Sequence, residues 1–314
     1  MSLFSACSER TEKAGQKKVS VKVMNWNLQT FFDAQNDGTE YSDFRNSPQL
    51  WNKEKYNERL EKLAKVIKTI NADILIFEEL EKEGQILDIS NKLSGTFDFS
   101  KLYKYACFSK KPGTSIGCAV LSRFPVETLT VHSLDYRHNN LTPPSLRPIM
   151  KLSLKIKEKD FILFVNHWKS KSGGSSSSDF WRSFQENQLA FLINEALKDC
   201  KSVLACGDFN KDILEFEYIS SGNNNIRLKG NQNSEVHSPW FNEDGTLINP
   251  GSYYFRGNWE RIDNYFSSGE CEITDFMAEN SGEWSEETGK PYRYQLWNGQ
   301  GYSDHLPITA VIKF

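Results

Sequence analysis

Short apolar runs of strand length recur along this chain, and several end directly in a polar side chain suited to catalysis. In residues 202–210, an apolar segment reaches Gly207 and then presents Asp208 and Asn210 two positions apart. On extended backbone, alternate side chains share a face, so this carboxylate can accept a proton from a water that the amide orients. A turn or a helix cap is the alternative interpretation of this short stretch taken alone.

Four other apolar segments carry such residues at or near their ends, and this repetition favours a single site over a set of unrelated turns. The polar residues beside these segments, or just before the final strand, are Asn27, Glu78, Glu79, His167, Asp263, Asp304 and His305. The segments that carry them are residues 21–28, 74–77, 161–165 and 261–266, followed by a last predicted strand at residues 306–314.

These residues also have structural interpretations. Glu78 and Glu79, with Glu81 and Glu83, are compatible with a solvated acidic cluster, and His167 alone is compatible with a hydrogen-bonded core histidine. An unpaired carboxylate beside an apolar strand is costly to bury. We therefore expect one of the first two glutamates either to reach solvent or to hold a cation.

The length of 314 residues, with 38% hydrophobic and 13% aromatic residues, allows a large core in one domain. We predict a tail over residues 1–19 and a single domain over residues 20–314. Helical spacing over residues 51–70 and from Asp179 onward indicates two helices, alternating with strands in an α+β fold. Residues 173–178 are predicted to form a flexible loop, and residues 220–259, rich in Asn, Ser and Gly, a long surface insertion.

The net charge and the N-terminal sequence bear on the binding partners and on the cellular location of the protein. A net charge of −3 provides no global field for a polyanion, so nucleic-acid contact requires a local basic patch. No segment reaches the roughly 18 apolar residues of a spanning helix. Residues 3–7, followed by polar residues, are similar to the end of a bacterial lipoprotein signal, with Cys7 as the lipidated residue. An unrelated, disordered start is the alternative.

Six cysteines are present without the spacing of a metal finger. Cys107 and Cys118 flank a Lys-Lys-Pro-Gly turn and are placed to face each other across a hairpin. Buried, unpaired cysteines are the alternative interpretation.

The ordered series of polar residues resembles the endonuclease/exonuclease/phosphatase superfamily, which contains pancreatic deoxyribonuclease, neutral sphingomyelinases and inositol polyphosphate phosphatases. The resemblance spans about residues 20–314. It rests on Trp-Asn-Leu at 26–28, Asp-Ile-Leu-Ile-Phe-Glu-Glu at 73–79, Gly-Asp-Phe-Asn at 207–210 and Ser-Asp-His at 303–305. It implies a four-layer α/β/β/α sandwich, with two packed, mainly antiparallel sheets and helices outside.

The resemblance also implies roles for individual residues. Metal binding falls to Glu79, assisted by Asn27 and Asp304, and Glu78 stands where many relatives have Gln. Asp208 would activate the attacking water, and Asn210 would position either that water or the phosphate. Phosphate contacts fall to the two imidazoles, with a carboxylate orienting the second; these residues are His167, His305 and Asp263.

The chemistry favours Mg²⁺, with Mn²⁺ or Ca²⁺ as alternatives, because hard cations prefer carboxylate and amide oxygens; it disfavours zinc. Basic residues with interleaved tryptophans suit phosphates and stacked bases. They are Arg147, Lys169, Lys171, Arg182, Trp168 and Trp181, of which Arg147 and Lys169 are the predicted phosphate ligands.

Residues 51–67, 146–148 and 166–171 resemble those of bacterial predicted extracellular nucleases. The sequence therefore predicts a monomeric nuclease acting on DNA, located in the cell envelope or outside the cell and attached to a membrane only through Cys7. By family analogy, the new phosphate would lie on the 5′ side of the break. A sphingomyelinase-like phospholipase, an inositol phosphate phosphatase and a non-catalytic binding module are the alternatives.

Overall fold

A computed structural model describes residues 18–46, 49–136, 143–171, 175–220 and 224–314. One sheet has six strands in the order β15-β16-β1-β2-β4-β3. Their bounds are β1 Ser20–Phe31, β2 Ile74–Leu80, β3 Tyr105–Ser109, β4 Gly117–Ser122, β15 Glu272–Ala278 and β16 Ile308–Lys313. The predicted strands over residues 21–28, 74–77 and 306–314 are β1, β2 and β16.

The second sheet has eight strands in the order β5-β6-β7-β8-β14-β11-β10-β9. Their bounds are β5 Val126–His132, β6 Ile149–Ile156, β7 Lys159–His167, β8 Ser202–Asp208, β9 Glu217–Ser220, β10 Asn225–Leu228, β11 Ser234–His237 and β14 Asp263–Gly269. A separate hairpin joins β12 Tyr253–Phe255 to β13 Asn258–Glu260.

Each sheet contains one parallel pair near its centre. β1 pairs with β2 and β7 pairs with β8 in parallel, whereas the other pairings within the two sheets are antiparallel. A parallel connection needs a crossover, which helices α2 Lys53–Ile70 and α4 Ser175–Ala196 provide. The carboxyl ends of four strands therefore carry Asn27, Glu79, His167 and Asp208.

The crossover helices are built as the sequence pattern predicts. Asn52 caps α2 by accepting the backbone N–H groups of Glu54 and Lys55, and Asn71 ends it with left-handed backbone. The apolar stripe of α2 includes Leu60, Leu63 and Ile67, all of which are buried. Two shorter helices, α1 Ser42–Arg45 and α3 Gly84–Leu93, complete the set of α-helices in the described ranges.

The two sheets pack face to face, which confirms the predicted α/β/β/α sandwich. β1 and β2 contact β8, and β4 contacts β7. Tyr265 of β14 is fully buried, and its hydroxyl donates across the sheet interface toward the carbonyl oxygens of Ile308 and Val23, at 3.1 and 3.4 Å. Both acceptors belong to the six-stranded sheet, so polar as well as apolar contacts join the layers.

Two local predictions are wrong. Residues 220–259 are not a surface insertion, because β10 and β11 extend the eight-stranded sheet and bury Ile226, Leu228 and Trp240. Residues 175–178, predicted as loop, form the first turn of α4. The predicted tail lies almost wholly in residues 1–17, which are outside the described residues, as is Cys7.

The predicted hairpin exists as β3 and β4, but its two cysteines do not face each other. Cys107 pairs with Val120 and Cys118 pairs with Ser109 in the strand register. All five cysteines among the described residues are free thiols. None of the helices in the described ranges combines the length and the apolar character that crossing a bilayer requires.

Candidate active site

The strand ends meet at a cavity of about 880 Å³. Eight of the ten site residues predicted from the sequence line it, namely Asn27, Glu79, Arg147, His167, Asp208, Asn210, Asp304 and His305. Asp263 lies directly behind His305, with which it shares a hydrogen bond. The sequence therefore identified residues far apart in the chain that the fold brings together.

Irregular backbone turns the Glu79 side chain toward the cavity. β2 shifts register between Glu78 and Leu80 against β4, and Glu79 adopts a positive φ of 67°. A bulge of this kind redirects one side chain, and a left-handed non-glycine residue carries strain that surrounding contacts must offset. The backbone N–H of Thr30 donates to Glu79 Oε2 at 2.5 Å and holds the carboxylate in place.

The Asp208 carboxylate accepts three hydrogen bonds from two neighbouring residues. The Asn27 and Asn210 amides donate to its Oδ2 at 3.0 and 3.1 Å, and the Asn210 backbone N–H donates to its Oδ1 at 2.8 Å. Burial raises the pKa of Asp208 to about 7, although the charge of His305 opposes the rise. A carboxylate with a raised pKa is a stronger proton acceptor than an exposed aspartate.

Gly207 allows β8 to approach β7 closely enough to align Asp208 with His167. Its φ is +136°, and a Cβ at this position would lie 1.9 Å from the Asn166 carbonyl oxygen. The Asn166 side chain is itself fixed, donating to the Cys206 carbonyl and accepting from the Trp168 indole N–H. The glycine in the predicted motif thus has a steric role.

His305 is held as a cation by a buried carboxylate. Its Nδ1 lies 2.8 Å from Asp263 Oδ2, and both residues are buried. Burial alone would disfavour the charge, but the Asp263 carboxylate raises the pKa of His305 well above its ordinary value. The backbone is also fixed, because Trp26 Nε1 donates to the His305 carbonyl at 2.9 Å.

His167 has the opposite charge state. Burial, reinforced by the nearby charges of Arg147 and His305, lowers the pKa of His167 well below its ordinary value. Its Nε2 lies 3.6 Å from Asp208 Oδ2 and 3.8 Å from Glu79 Oε1. The site therefore pairs a neutral imidazole with a cationic one.

The donor set around Glu79 fits a hard divalent cation. Five carboxylates line the cavity, those of Asp43, Glu79, Asp208, Glu260 and Asp304, against four cations, those of Arg147, Lys171, Arg293 and protonated His305. No cysteine is among the described lining residues. Oxygen ligands and excess negative charge suit Mg²⁺, Mn²⁺ or Ca²⁺ better than zinc.

A second group of candidate ligands fits a cation less well. Side-chain atoms of Asp208, Asp263 and His305 lie within 4.8 Å of one another. However, His305 Nδ1 is already engaged by Asp263. Glu79, with Asn27 and Asp304, therefore remains the predicted metal set.

Four residues predicted around the site occupy other positions. Lys169 is not among the cavity-lining residues, and Arg182 is buried against Asp179 and the Lys169 carbonyl. Trp168 and Trp181 are also buried, because Trp168 packs on Phe209 and Trp181 packs on Tyr136. These tryptophans cannot stack on a substrate base.

Other aromatic residues take that position. Tyr41, Tyr253, Phe255 and Trp297 line the cavity, and Trp297 is 70% exposed. Arg293 also lines it, with a guanidinium nitrogen 3.9 Å from Asp304 Oδ2. No motif or periodicity marked these residues, since they lie in segments of irregular, polar sequence. Only the fold brings them to the rim.

Comparison with known families gives one extended match. A profile of the endonuclease/exonuclease/phosphatase family matches residues 22–313. A search of curated proteins finds no match.

Solved structures share the fold at low sequence identity. C. elegans TDP2 is 19% identical, with a TM-score of 0.59, covering 93% of this chain and 75% of that one. D. rerio TDP2 in complex with a single-strand DNA product is 12% identical, with a TM-score of 0.58, covering 93% and 98%. The human nocturnin catalytic domain with bound sulfate is 18% identical, with a TM-score of 0.57, covering 93% of each chain. At these identities the likeness shows the fold alone.

Proposed function

The chain belongs to the endonuclease/exonuclease/phosphatase family of metal-dependent phosphate-ester hydrolases, and from that premise we propose that it is a Mg²⁺-dependent nuclease acting on DNA. The observation that carries the proposal is one cavity that gathers the predicted catalytic residues together with exposed aromatic side chains and the basic residues Arg147 and Arg293. The same catalytic set would serve other phosphodiesters. The rim is what favours nucleic acid.

Each predicted catalytic residue of the cavity has a separate role in the proposed in-line hydrolysis. Asp208 takes the proton of the attacking water, and Asn210 fixes the Asp208 carboxylate and orients the nucleophile. His305 donates from Nε2 to the phosphoryl oxygens, on which negative charge grows, while neutral His167 contacts the same group. A divalent cation held by Glu79, Asn27 and Asp304 would supply Lewis-acid stabilisation of that charge.

The rim suits a polymer of stacked bases. Phe255 and Tyr41 are each 43% exposed and Trp297 is 70% exposed, all on one cavity. Base–aromatic stacking is typically worth about 1–3 kcal/mol per base and is tolerant of sequence. Arg147 and Arg293 line the same cavity and are available to phosphates on either side of the scissile bond.

Circular DNA provides the sharpest test. Purified protein is incubated with supercoiled plasmid and with linear DNA, in Mg²⁺ and separately in EDTA. Sphingomyelin vesicles and inositol phosphates are assayed in parallel. We expect nicked and linear plasmid in Mg²⁺ only. An Asp208→Asn variant is the control for contaminating nuclease. Cleavage of vesicles or inositol phosphates with intact plasmid and intact linear DNA would contradict the proposal.

A location outside the cytoplasm is a further part of the proposal. It rests on the similarity of residues 3–7 to a lipoprotein signal. The natural protein should then fractionate with the membrane and carry acyl mass at Cys7. A Cys7→Ser variant should lose both properties, and an unmodified protein in the cytosolic fraction would contradict the anchor.

A further inference from the structure

A second group of carboxylates lies outside the catalytic cavity, where the segment after β1 packs against the end of β2. Side-chain oxygens of Asp37, Glu40 and Glu81 all lie within 4.8 Å of one another. Glu40 and Glu81 are 5% and 0% exposed, whereas Asp37 is exposed. The group therefore reaches from the protein interior to solvent.

Glu81 is the observation that points to a ligand. Its Oε2 accepts the Asp33 backbone N–H at 2.7 Å, but its buried Oε1 has no hydrogen-bond partner among the described residues. Lys82 Nζ lies 4.0 Å from Oε1 and closer to Asp33 and Asp37, at 3.1 Å from an oxygen of each. One partly exposed ammonium does not balance four carboxylates, and a buried carboxylate oxygen without a partner is unfavourable.

We propose that Asp37, Glu40 and Glu81 bind a Ca²⁺ ion separate from the catalytic cation. Ca²⁺ takes oxygen ligands at about 2.3–2.6 Å, so ligands on opposite sides of one ion are about 5 Å apart, which matches this group. Asp33, Gln35 and Asp37 also alternate before a glycine, as in the first half of an EF-hand loop. Mg²⁺ fits less well, because it demands a tighter octahedron and retains waters.

The ion would fix one wall of the catalytic cavity. The segment that carries Asp37 and Glu40 continues directly into Tyr41, Asp43 and Phe44, which all line that cavity. In the Ca²⁺ form the Lys82 ammonium moves outward, since its long side chain is already partly exposed. Ca²⁺ binding thus replaces a weak internal counter-ion with a coordinated one.

Calorimetric titration of the EDTA-stripped full-length protein with CaCl₂ alone tests the site. A Glu79→Gln variant, altered in the catalytic cavity, should still bind Ca²⁺ with unchanged affinity and should show a raised Tm when Ca²⁺ is added. Glu81→Gln should weaken that binding at least about tenfold, the lower end of the effect expected when a metal site loses a supporting group. Asp37→Asn, in the exposed part of the loop, provides the same test without altering a buried position.

Lys82→Gln distinguishes a metal site from a lysine-neutralised cluster. Removing the competing ammonium should tighten Ca²⁺ binding. The proposal is overturned if Glu79→Gln neither binds Ca²⁺ nor gains thermal stability, if Glu81→Gln and Asp37→Asn bind as tightly as wild type, or if Lys82→Gln binds more weakly.

Discussion

In the proposed mechanism, Asp208 accepts a proton and His305 donates a hydrogen bond, and burial and neighbouring charges shift the pKa of each. Asp208→Asn removes the proton acceptor, and His305→Ala removes the cationic donor. Because such groups typically contribute about 10²–10⁴-fold each, we expect kcat on bis(p-nitrophenyl) phosphate in Mg²⁺ to fall at least about 100-fold in either variant. Circular dichroism and Tm check that the fold persists. Near-normal turnover would contradict the assigned roles.

Glu78 is a buried carboxylic acid that the catalytic scheme does not use. Burial, together with Asp263 and Asp208, raises the pKa of Glu78 well above the value of 4.5 that it has when exposed. Above pH 4.5 the Glu78 carboxyl is therefore ionised in the unfolded chain but still protonated in the folded protein. The free energy of unfolding is then highest below pH 4.5 and falls as pH rises toward the pKa of the folded state.

Glu78→Gln removes this pH-dependent loss while conserving shape. The glutamine Oε1 can take the place of the Glu78 oxygen that accepts from Asn25 Nδ2 at 3.4 Å. We expect urea unfolding in EDTA to show the variant more stable than wild type at pH 7.5 and nearly equal at pH 4.5. The same difference at both pH values would show that Glu78 is ionised in the folded protein.

The β7–β8 pair depends on a glycine at its carboxyl end. Gly207→Ala would place a Cβ 1.9 Å from a backbone oxygen that cannot move without breaking the pair. We expect a loss of more than about 3 kcal/mol in the free energy of unfolding, or no folded protein. Gly257→Ala, in the β12–β13 turn, is the matched control because it has a φ of +91° and nothing within 4 Å.

The free energy of unfolding of the Gly257→Ala control should fall by only about 1 kcal/mol, because this variant has only the strain of left-handed backbone. Chemical denaturation of the two variants separates the cost of the Cβ clash from the cost of placing alanine at a positive φ. Equal losses would show that β8 can move away from β7 without penalty.

The turn at residues 295–300 presents Trp297 on a rigid support. Lys62 Nζ donates to the Gly299 carbonyl at 2.7 Å, and the Arg59 guanidinium stacks on Tyr294 at 3.9 Å. An exposed tryptophan on fixed backbone can bind a base with little loss of entropy. Trp297→Ala should raise KM for DNA about tenfold or more and leave turnover of bis(p-nitrophenyl) phosphate unchanged.

Phe99→Ala is the control for this prediction. Phe99 is 76% exposed and is not among the cavity-lining residues, so its loss should not affect either substrate. An unchanged KM for DNA in the Trp297→Ala variant would show that Trp297 does not stack on a substrate base.

Sequence patterns predicted the strands whose apolar run ends in a functional side chain, because β1, β2, β7 and β8 are buried on both faces. They failed for β10 and β11. There the apolar residues Ile226, Leu228 and Val236 are diluted by polar neighbours, and only packing in the folded protein buries them. The same limit applies to Trp168, whose burial depends on Phe209 and Phe216.

The charge of the whole molecule sets how it meets a polyanion. The net charge is −3, and Lys171 is already paired to Glu215 and Glu260. Three cations among the described lining residues of the cavity then remain for phosphates: Arg147, Arg293 and the protonated His305. Raising salt from about 50 to 200 mM should therefore weaken DNA binding by about 40-fold or less, against about 10³–10⁵ for proteins with six to ten contacts. Fluorescence anisotropy of the Asp208→Asn variant measures this salt dependence. A steeper dependence would show that more than three cations contact the phosphates.

The buried hydroxyl of Tyr265 and the amide of Asn27, which bridges Glu79 and Asp208, both join one sheet to the other. Opening of the sheet interface at the cavity is therefore coupled to separation of the two sheets as a whole. On slow heating, activity should be lost at the temperature at which the whole domain unfolds. No folded but inactive intermediate should accumulate below that temperature.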